Sequence, residues 1–155
     1  MTERSTRHAT FTVERLLAAA PSRVFAAYAD RKTKARWFIG PEGWERSDHR
    51  LDFRVGGRES VRGGPPGGPT RFYNGIYQDI VPDERIVLTY EMHLDAMRLS
   101  VSLGTTEFRA AARGTRLVYT EQAVFLDGHD DARSRELGIQ ALLDRLVKSL
   151  DGKVP

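Results

Sequence analysis

The sequence predicts an α+β protein in which an antiparallel sheet packs against one long C-terminal helix. Strand-like segments separated by short turns fill residues 44–125 almost without interruption. After residue 131 the apolar residues recur at helical spacing instead. A length of 155 residues fits one domain, so we expect a single unit over residues 1–155.

A strand and two short helices are predicted before this region. HATFTVERLLAA alternates, with Phe11 and Val13 on one face. Pro21 then suits the first turn of a helix, because its missing N–H would be unbonded there. PSRVFAAYAD and RKTKARWFIG have helical spacing, and we expect the basic run RKTKAR to be an exposed helix surface rather than a nucleic-acid site.

Six strands of an antiparallel meander are predicted next. Turn residues fall at Gly56–Gly57, Pro82–Asp83, Asp95–Ala96 and Arg113–Gly114. The six predicted strand segments are WERSDHRLDFRV, RESVR, RFYNGIYQDIV, ERIVLTYEMHL, MRLSVSLGTTEFRAAA and TRLVYTEQAVFL. In LSVSLGTTEF the apolar residues change parity, and a bulge near Gly104 would reconcile the two phases.

The last element predicted is the long helix ARSRELGIQALLDRLVKSLDG. Asp127 or Asp130 is a candidate cap, and Gly152 is a stop signal. Its apolar stripe consists of Ile139, Leu142, Leu143, Leu146 and Leu150.

The stretch VRGGPPGGPTRFYNG, residues 61–75, raises three alternatives: a domain linker, a phosphate cradle or the tip of a long hairpin. A linker is disfavoured because strands flank the stretch within one sheet pattern. A phosphate cradle is disfavoured because G-x-G-x-x-G and G-x-x-x-x-G-K-[ST] are absent and a strand follows instead of a helix. We therefore predict a hairpin tip, whose composition over residues 63–69 permits hinge motion.

Composition narrows the classes of function. The net charge is +3 with acidic and basic residues interspersed, so we expect no nucleic-acid partner. The absence of cysteine excludes disulfides and thiolate chemistry. The four histidines are widely separated, so neither a metal nor another cofactor is expected. No apolar run suits a membrane span or a signal peptide, which leads us to expect a cytoplasmic protein without a membrane partner.

Several motifs in a fixed order resemble the family named for homology to the activator of the heat-shock protein 90 ATPase. They are PSRVFAAYAD, ARWF, LDFRVGGRE, NGIYQDIVPDERIVLTYEM, GTRLVYTEQ and LLDRLVKSL. The resemblance implies the helix-grip fold, also called Bet v 1-like or START-like, in which a curved sheet wraps around the C-terminal helix and leaves a cavity. Gly138 removes side-chain volume from that helix, either to admit a ligand or without functional consequence.

We expect the cavity to bind a small hydrophobic or aromatic molecule, because large aromatic side chains concentrate where sheet and helix would meet. The candidates are Trp37, Phe38, Trp44, Phe53, Tyr73, Tyr77, Tyr90, Met92, Phe108, Tyr119, Phe125 and Leu143. The superfamily that the resemblance implies also contains cyclase- or dehydratase-like and hydrolase-like enzymes, and the family name suggests a co-chaperone-like interaction module. The sequence leaves these alternatives open, together with the choice between a monomer and a homodimer.

Two groups of polar residues are candidates for chemistry. Glu91 and His93 lie two residues apart on one face of a strand and could share a proton, but alternation with Tyr90 and Met92 favours the solvent side. The second group lies in HRLDFRVGGRE, and we expect it to form cross-strand charge pairs at the surface. Its members are His49, Asp52, Arg54, Arg58 and Glu59.

Overall fold

The computed structural model of the chain describes residues 3–39 and 48–151. Within them the elements are β1 (Thr6–Leu17), α1 (Pro21–Ala29), α2 (Arg31–Phe38), β2 (Asp48–Leu51), β3 (Arg58–Gly63), β4 (Arg71–Val81), β5 (Arg85–Leu94), β6 (Met97–Ala111), β7 (Gly114–Leu126) and α3 (Ala132–Asp151). The strands form one curved antiparallel sheet in the order β1-β7-β6-β5-β4-β3-β2. The predicted α+β, helix-grip architecture is confirmed.

Short turns set the meander, at the predicted positions. Asp83 and Asp95 adopt left-handed backbone angles, φ 64° and φ 52°, which aspartate tolerates better than most residues. The glycine- and proline-rich segment connects β3 to β4, whose first pair is Gly63 with Arg71. It is therefore the tip of a hairpin, as predicted.

The helices differ from the prediction in two details. Lys34 and Trp37 of α2 are three residues apart and both buried, so RKTKAR is not wholly an exposed surface. Helix α3 is capped by Asp131, whose Oδ1 accepts from the Ser134 backbone N–H at 2.8 Å, and not by Asp127 or Asp130. The cap must stand immediately before the first helical residue to reach the N–H groups of the first turn.

Helix α3 packs against β1 and α2 and closes one side of the core. The predicted stripe faces inward, with Leu143, Leu146 and Leu150 all buried. An ion pair between Arg15 and Asp144, 2.7 Å apart, joins β1 to the helix. None of the helices in residues 3–39 and 48–151 is long and apolar enough to cross a membrane.

The prediction of a bulge at Gly104 is wrong. Strand β6 pairs with β7 without interruption from Ser100 to Ala111, and the register shift with β5 falls opposite Leu99. The inward parity of β6 is instead small and polar up to Phe108, with Ser100, Ser102, Gly104 and Thr106 all buried. The hydrophobicity pattern misidentified the inner face of β6, because polar side chains from other elements lie against that face.

Candidate functional site

A cavity of about 620 Å³ lies between the inner face of the sheet, α2 and α3. Strands β3 to β7 contribute its floor, and α3 contributes one wall from Ser134 to Arg145. Gly63 and Arg71, which flank the glycine-rich hairpin tip, also line it.

Eight of the residues singled out from the sequence line this cavity. They are Trp37, Phe38, Tyr73, Tyr77, Tyr90, Met92, Tyr119 and Leu143. Trp44 lies outside the described residues. These eight side chains come from five elements, α2, β4, β5, β7 and α3, so only the folded chain brings them together.

Three other candidates do not line the cavity. Phe53 and Phe108 both pack edge-on against Phe25 of α1, with ring centroids 5.6 Å and 5.4 Å away, in the part of the core that α1 covers. Phe125 is covered by the Arg135 guanidinium, which lies 5.3 Å from its ring centroid. These three side chains are core residues, which the sequence pattern does not distinguish from cavity residues.

Two glycines on the inner face allow tyrosine side chains to lie along the floor of the cavity. A Cβ added at Gly104 would stand 2.7 Å from the Tyr119 hydroxyl oxygen and 3.1 Å from a ring carbon. A Cβ added at Gly75 would stand 3.2 Å from the Tyr73 hydroxyl oxygen. The contact at Gly104 is closer than any real Cβ makes, so a side chain there would displace the Tyr119 ring, whereas at Gly75 the Tyr73 ring would have to shift by only a few tenths of an ångström.

A buried carboxylate organises the end of the cavity near the start of α3. Glu121 has no exposed surface. Its carboxylate accepts hydrogen bonds from the hydroxyls of Tyr90 and Tyr119, each at 2.7 Å, and of Ser102 at 2.8 Å. Arg135 donates to it at 3.1 Å and so neutralises the charge. The cluster, which we call the Glu121 cluster, ties β5, β6, β7 and α3 together.

A second buried carboxylate, Glu59 of β3, organises the opposite end. Its carboxylate accepts hydrogen bonds from Lys34 Nζ at 2.6 Å and from the Tyr77 hydroxyl at 2.7 Å. A third hydrogen bond, 2.8 Å long, joins it to His49 Nε2. The Lys34 ammonium also lies 4.2 Å from the Phe38 ring centroid, a cation–π distance. We call these residues the Glu59 cluster, and it joins α2 to the sheet.

Burial and hydrogen bonding oppose each other in setting the ionisation of these groups. Burial alone would raise the pKa of Glu59, but the Lys34 ammonium and the hydrogen bonds from His49, Lys34 and Tyr77 outweigh it and hold that pKa below its usual range. Burial raises the pKa of the Tyr77, Tyr90 and Tyr119 phenols, and the nearby carboxylates raise it further. The tyrosines therefore stay protonated and act as hydrogen-bond donors to the carboxylates of Glu59 and Glu121.

Sequence reasoning assigned His49 and Glu59 to the surface and did not consider Lys34, Glu121 or Arg135. The expectation for His49 and Glu59 is wrong, because both side chains lie on the inner face of the sheet, while Asp52, Arg54 and Arg58 of the same stretch are exposed as expected. One signal was available: Glu121 has the same parity as Tyr119, Ala123 and Phe125 along β7, and an acidic residue in an apolar row indicates a buried partner.

Glu91 and His93 lie on the outer face of the sheet. Their side chains are 3.0 Å apart, and Arg98 lies 3.3 Å from the same carboxylate oxygen of Glu91. Neither residue lines the cavity. The pair therefore cannot act on a molecule held there. In the described part of the chain, no group of three His, Cys, Asp or Glu side chains is placed to hold a metal ion.

Gly138 of α3 lines the cavity and is exposed, and a Cβ there would meet no atom within 4 Å. We expect Gly138→Ala to raise the free energy of unfolding by about 1 kcal/mol, because alanine is the better helix former and no neighbour has to move. Urea unfolding monitored by circular dichroism measures this change. A loss of stability instead would mean that the position is packed or its backbone strained.

Comparisons with known proteins agree with the fold and give a family. The sequence pattern described as Activator of Hsp90 ATPase homolog 1-like protein matches residues 18–151. No curated protein matches the chain.

Solved structures match over nearly the whole chain. A putative uncharacterized protein from Rhizobium leguminosarum is 42% identical with a TM-score of 0.93, and the match covers 98% of this chain and 100% of that one. The Mll3558 protein from Rhizobium loti is 44% identical with a TM-score of 0.87, covering 94% and 99%. An AHSA1-like protein from Aeromonas hydrophila, 19% identical with a TM-score of 0.71 and 92% of each chain covered, shares the fold.

Proposed function

The chain belongs to the family of activator of Hsp90 ATPase homolog 1-like proteins, and from that premise we propose that it binds a small hydrophobic or aromatic molecule between the sheet and α3. The observation that carries the proposal is the cavity of about 620 Å³. Ligand sites commonly have volumes of about 300–1,000 Å³ and mostly apolar walls.

The chemistry of the walls supports an apolar occupant. Apolar and aromatic side chains dominate the lining, among them Trp37, Phe38, Ile86, Leu88, Ile139 and Leu142. The charged groups that reach the cavity from Lys34 and Arg135 are paired with Glu59 and Glu121. Burying apolar ligand surface against such walls gains roughly 25 cal/mol per Å².

Binding is favoured over catalysis by the state of the buried carboxylates. A general base must be able to accept a proton from the substrate. The carboxylates of Glu59 and Glu121 already accept at least three hydrogen bonds each from other side chains. Their geometry therefore suits a fixed structural role better than proton transfer.

Binding is also favoured over a protein-interaction role. An interaction module is expected to present a contiguous apolar patch of several hundred Å². The large apolar side chains exposed in the described ranges, Leu16, Val55, Met97 and Leu137, belong to four different parts of the chain. Four such side chains are too few to make up a patch of that size among the described residues.

A substitution at Gly138 tests the proposal without cutting into the core. We expect Gly138→Trp to weaken binding of the neutral fluorescent probe N-phenyl-1-naphthylamine by about tenfold or more, because the indole would occupy cavity space and steric overlap costs about 1–3 kcal/mol. Titration of the probe, followed by its fluorescence, measures the change.

The matched control is Leu137→Trp, which places an indole at the preceding residue of the same helix. Leu137 is 52% exposed and does not line the cavity, so its replacement should leave probe binding unchanged. Equal effects of the two variants, or no probe binding by the unmodified protein, would contradict the proposal. Native mass spectrometry after incubation with a lipophilic extract of the source cells would then identify the retained molecule.

A further inference from the structure

The tyrosine hydroxyls of the cavity differ in whether their protons are already used. Tyr77 donates to Glu59, and Tyr90 and Tyr119 donate to Glu121, all at 2.7 Å. An O–H group has one proton, so these three hydroxyls can offer a ligand only their lone pairs.

Tyr73 is different. It lines the cavity from β4, with its ring packed against Phe38 and Tyr90 at centroid distances of 5.2 Å and 5.0 Å. Its hydroxyl has no hydrogen-bond partner among residues 3–39 and 48–151, and burial raises the pKa of the phenol, so the proton is retained. Tyr73 therefore brings an uncommitted donor to the cavity.

Tyr73 lies between the two clusters, but neither carboxylate accepts its hydroxyl proton, because both are already hydrogen-bonded to other side chains. Its ring lies 5.0 Å from that of Tyr90, which donates to Glu121, and 5.2 Å from that of Phe38, against which the Lys34 ammonium lies. Glu59 already receives Lys34, Tyr77 and His49. The carboxylate of Glu121 is equally saturated, by two tyrosines, Ser102 and Arg135.

The buried cations of the cavity are already paired. Lys34 is paired with Glu59, and Arg135 with Glu121 and Asp130. The two other arginines of the lining are less buried: Arg71 is exposed at the start of β4, and Arg145 is half-buried and donates to the backbone carbonyl of Trp37 at 3.1 Å. A charge buried beside Lys34 or Arg135 would therefore lose its hydration without gaining a partner among the described residues.

We propose that the buried part of the ligand is an uncharged aromatic or aliphatic skeleton with one hydrogen-bond-accepting oxygen, a carbonyl or an ether, that receives the Tyr73 hydroxyl proton. This inference rests on the proposed function and narrows it to a class of ligand. A carbonyl oxygen placed there would give the Tyr73 hydroxyl the acceptor that the described residues do not supply.

Two probes of nearly the same shape test the inference. Benzophenone carries a carbonyl between its rings, and diphenylmethane has a methylene there instead. Their affinities are measured by displacement of N-phenyl-1-naphthylamine from the unmodified protein and from Tyr73→Phe. We expect Tyr73→Phe to lower the affinity for benzophenone by about 3- to 10-fold, the contribution of one hydrogen bond, and to leave the affinity for diphenylmethane unchanged.

Tyr77→Phe is the matched control, because its hydroxyl is committed to Glu59. It should lower the midpoint of urea unfolding without changing the preference for benzophenone over diphenylmethane. Tyr73→Phe should leave the midpoint unchanged, since among the described residues its hydroxyl has no partner to lose. A lowered midpoint in Tyr73→Phe would reveal such a partner and overturn the inference.

The outcomes separate this inference from the proposed function. Binding of both probes with no dependence on Tyr73, or equal losses for the two probes, would overturn the inference and leave the proposed function standing. Failure of both probes and of N-phenyl-1-naphthylamine to bind the unmodified protein would overturn the proposed function itself.

Discussion

Glu121→Gln is expected to lower the free energy of unfolding by about 3–5 kcal/mol, the usual cost of removing one partner from a buried ion pair. The amide keeps the shape of the carboxylate but removes the fully buried one of the two charges that compensate Arg135, which is 8% exposed; the other, Asp130, is partly exposed. It also places an NH₂ group where Tyr90, Tyr119 or Ser102 now donates. Urea unfolding, followed by circular dichroism, measures the loss.

The control is Glu14→Gln, which removes a carboxylate from a surface pair with Arg116 on adjacent strands. That pair is 2.6 Å apart, but its side chains are 51% and 41% exposed, so the expected loss is below about 1 kcal/mol. Replacing both partners, with Glu121→Leu and Arg135→Met, removes the unpaired charge but leaves the hydroxyls of Tyr90, Tyr119 and Ser102 without their acceptor, so it should recover only part of the stability that Glu121→Gln loses. Similar losses for Glu121→Gln and Glu14→Gln would mean that the Glu121 cluster is hydrated.

The order of elements was predictable because each is encoded by local pattern. Alternation defined the strands, and the left-handed aspartates Asp83 and Asp95 fell in predicted turns. The stripe of α3 predicted the face that includes Leu143 and Leu146. These signals depend on a few neighbouring residues, so they can be read without knowing what packs above them.

The inner face of β6 could not be predicted, because its burial depends on residues distant in sequence. Ser102 is buried only because Glu121 and Arg135 supply its hydrogen-bonding partners from β7 and α3. A hydrophobicity pattern assigns such a serine to solvent. Lys34 was missed for the same reason, since its partner Glu59 lies 25 residues along the chain.

The same limit applies to the candidate site. Aromatic residues were recognisable by type, but Phe108 packs beneath α1 whereas Tyr119 lies along the cavity floor. What separates them is the space above each strand, which Gly104 provides for Tyr119. The cavity therefore depends on positions without a side chain, such as Gly104, as well as on the aromatic residues. A hydrophobicity pattern does not reveal which positions leave such space.

The two carboxylate clusters stand at opposite ends of the cavity and attach its walls to its floor. Arg135 fixes α3 to the floor through Glu121, and Lys34 fixes α2 through Glu59. Buried ion pairs add little net stability compared with apolar packing. They do favour a single arrangement of the elements that they join, because another arrangement would leave a buried charge unpaired. We therefore expect the clusters to keep the cavity open with a fixed shape.

Lys34→Met is accordingly expected to cost about 3–5 kcal/mol at neutral pH, because it leaves the Glu59 carboxylate buried without its ammonium partner. Lys32→Met is the matched control: Lys32 is an exposed lysine of the same helix, so its replacement should change stability by less than about 0.5 kcal/mol. Urea unfolding of both variants at neutral pH measures the difference.

The pH dependence of the Lys34→Met deficit tests its cause. In the unmodified protein the pKa of Glu59 is held below the ordinary 4.5, so this carboxylate stabilises the folded state above pH 4.5, and that stability is lost as the pH falls through the folded value. Without Lys34, burial dominates and the pKa rises, so the variant's Glu59 is protonated, and no longer a buried charge, at a higher pH. The deficit should therefore shrink as the pH falls through the raised Glu59 pKa of the variant, above 4.5, and shrink further below pH 4.5, where the unmodified protein loses its own stabilisation. A deficit of constant size across that range would trace the loss to packing around Phe38 and not to the charge on Glu59.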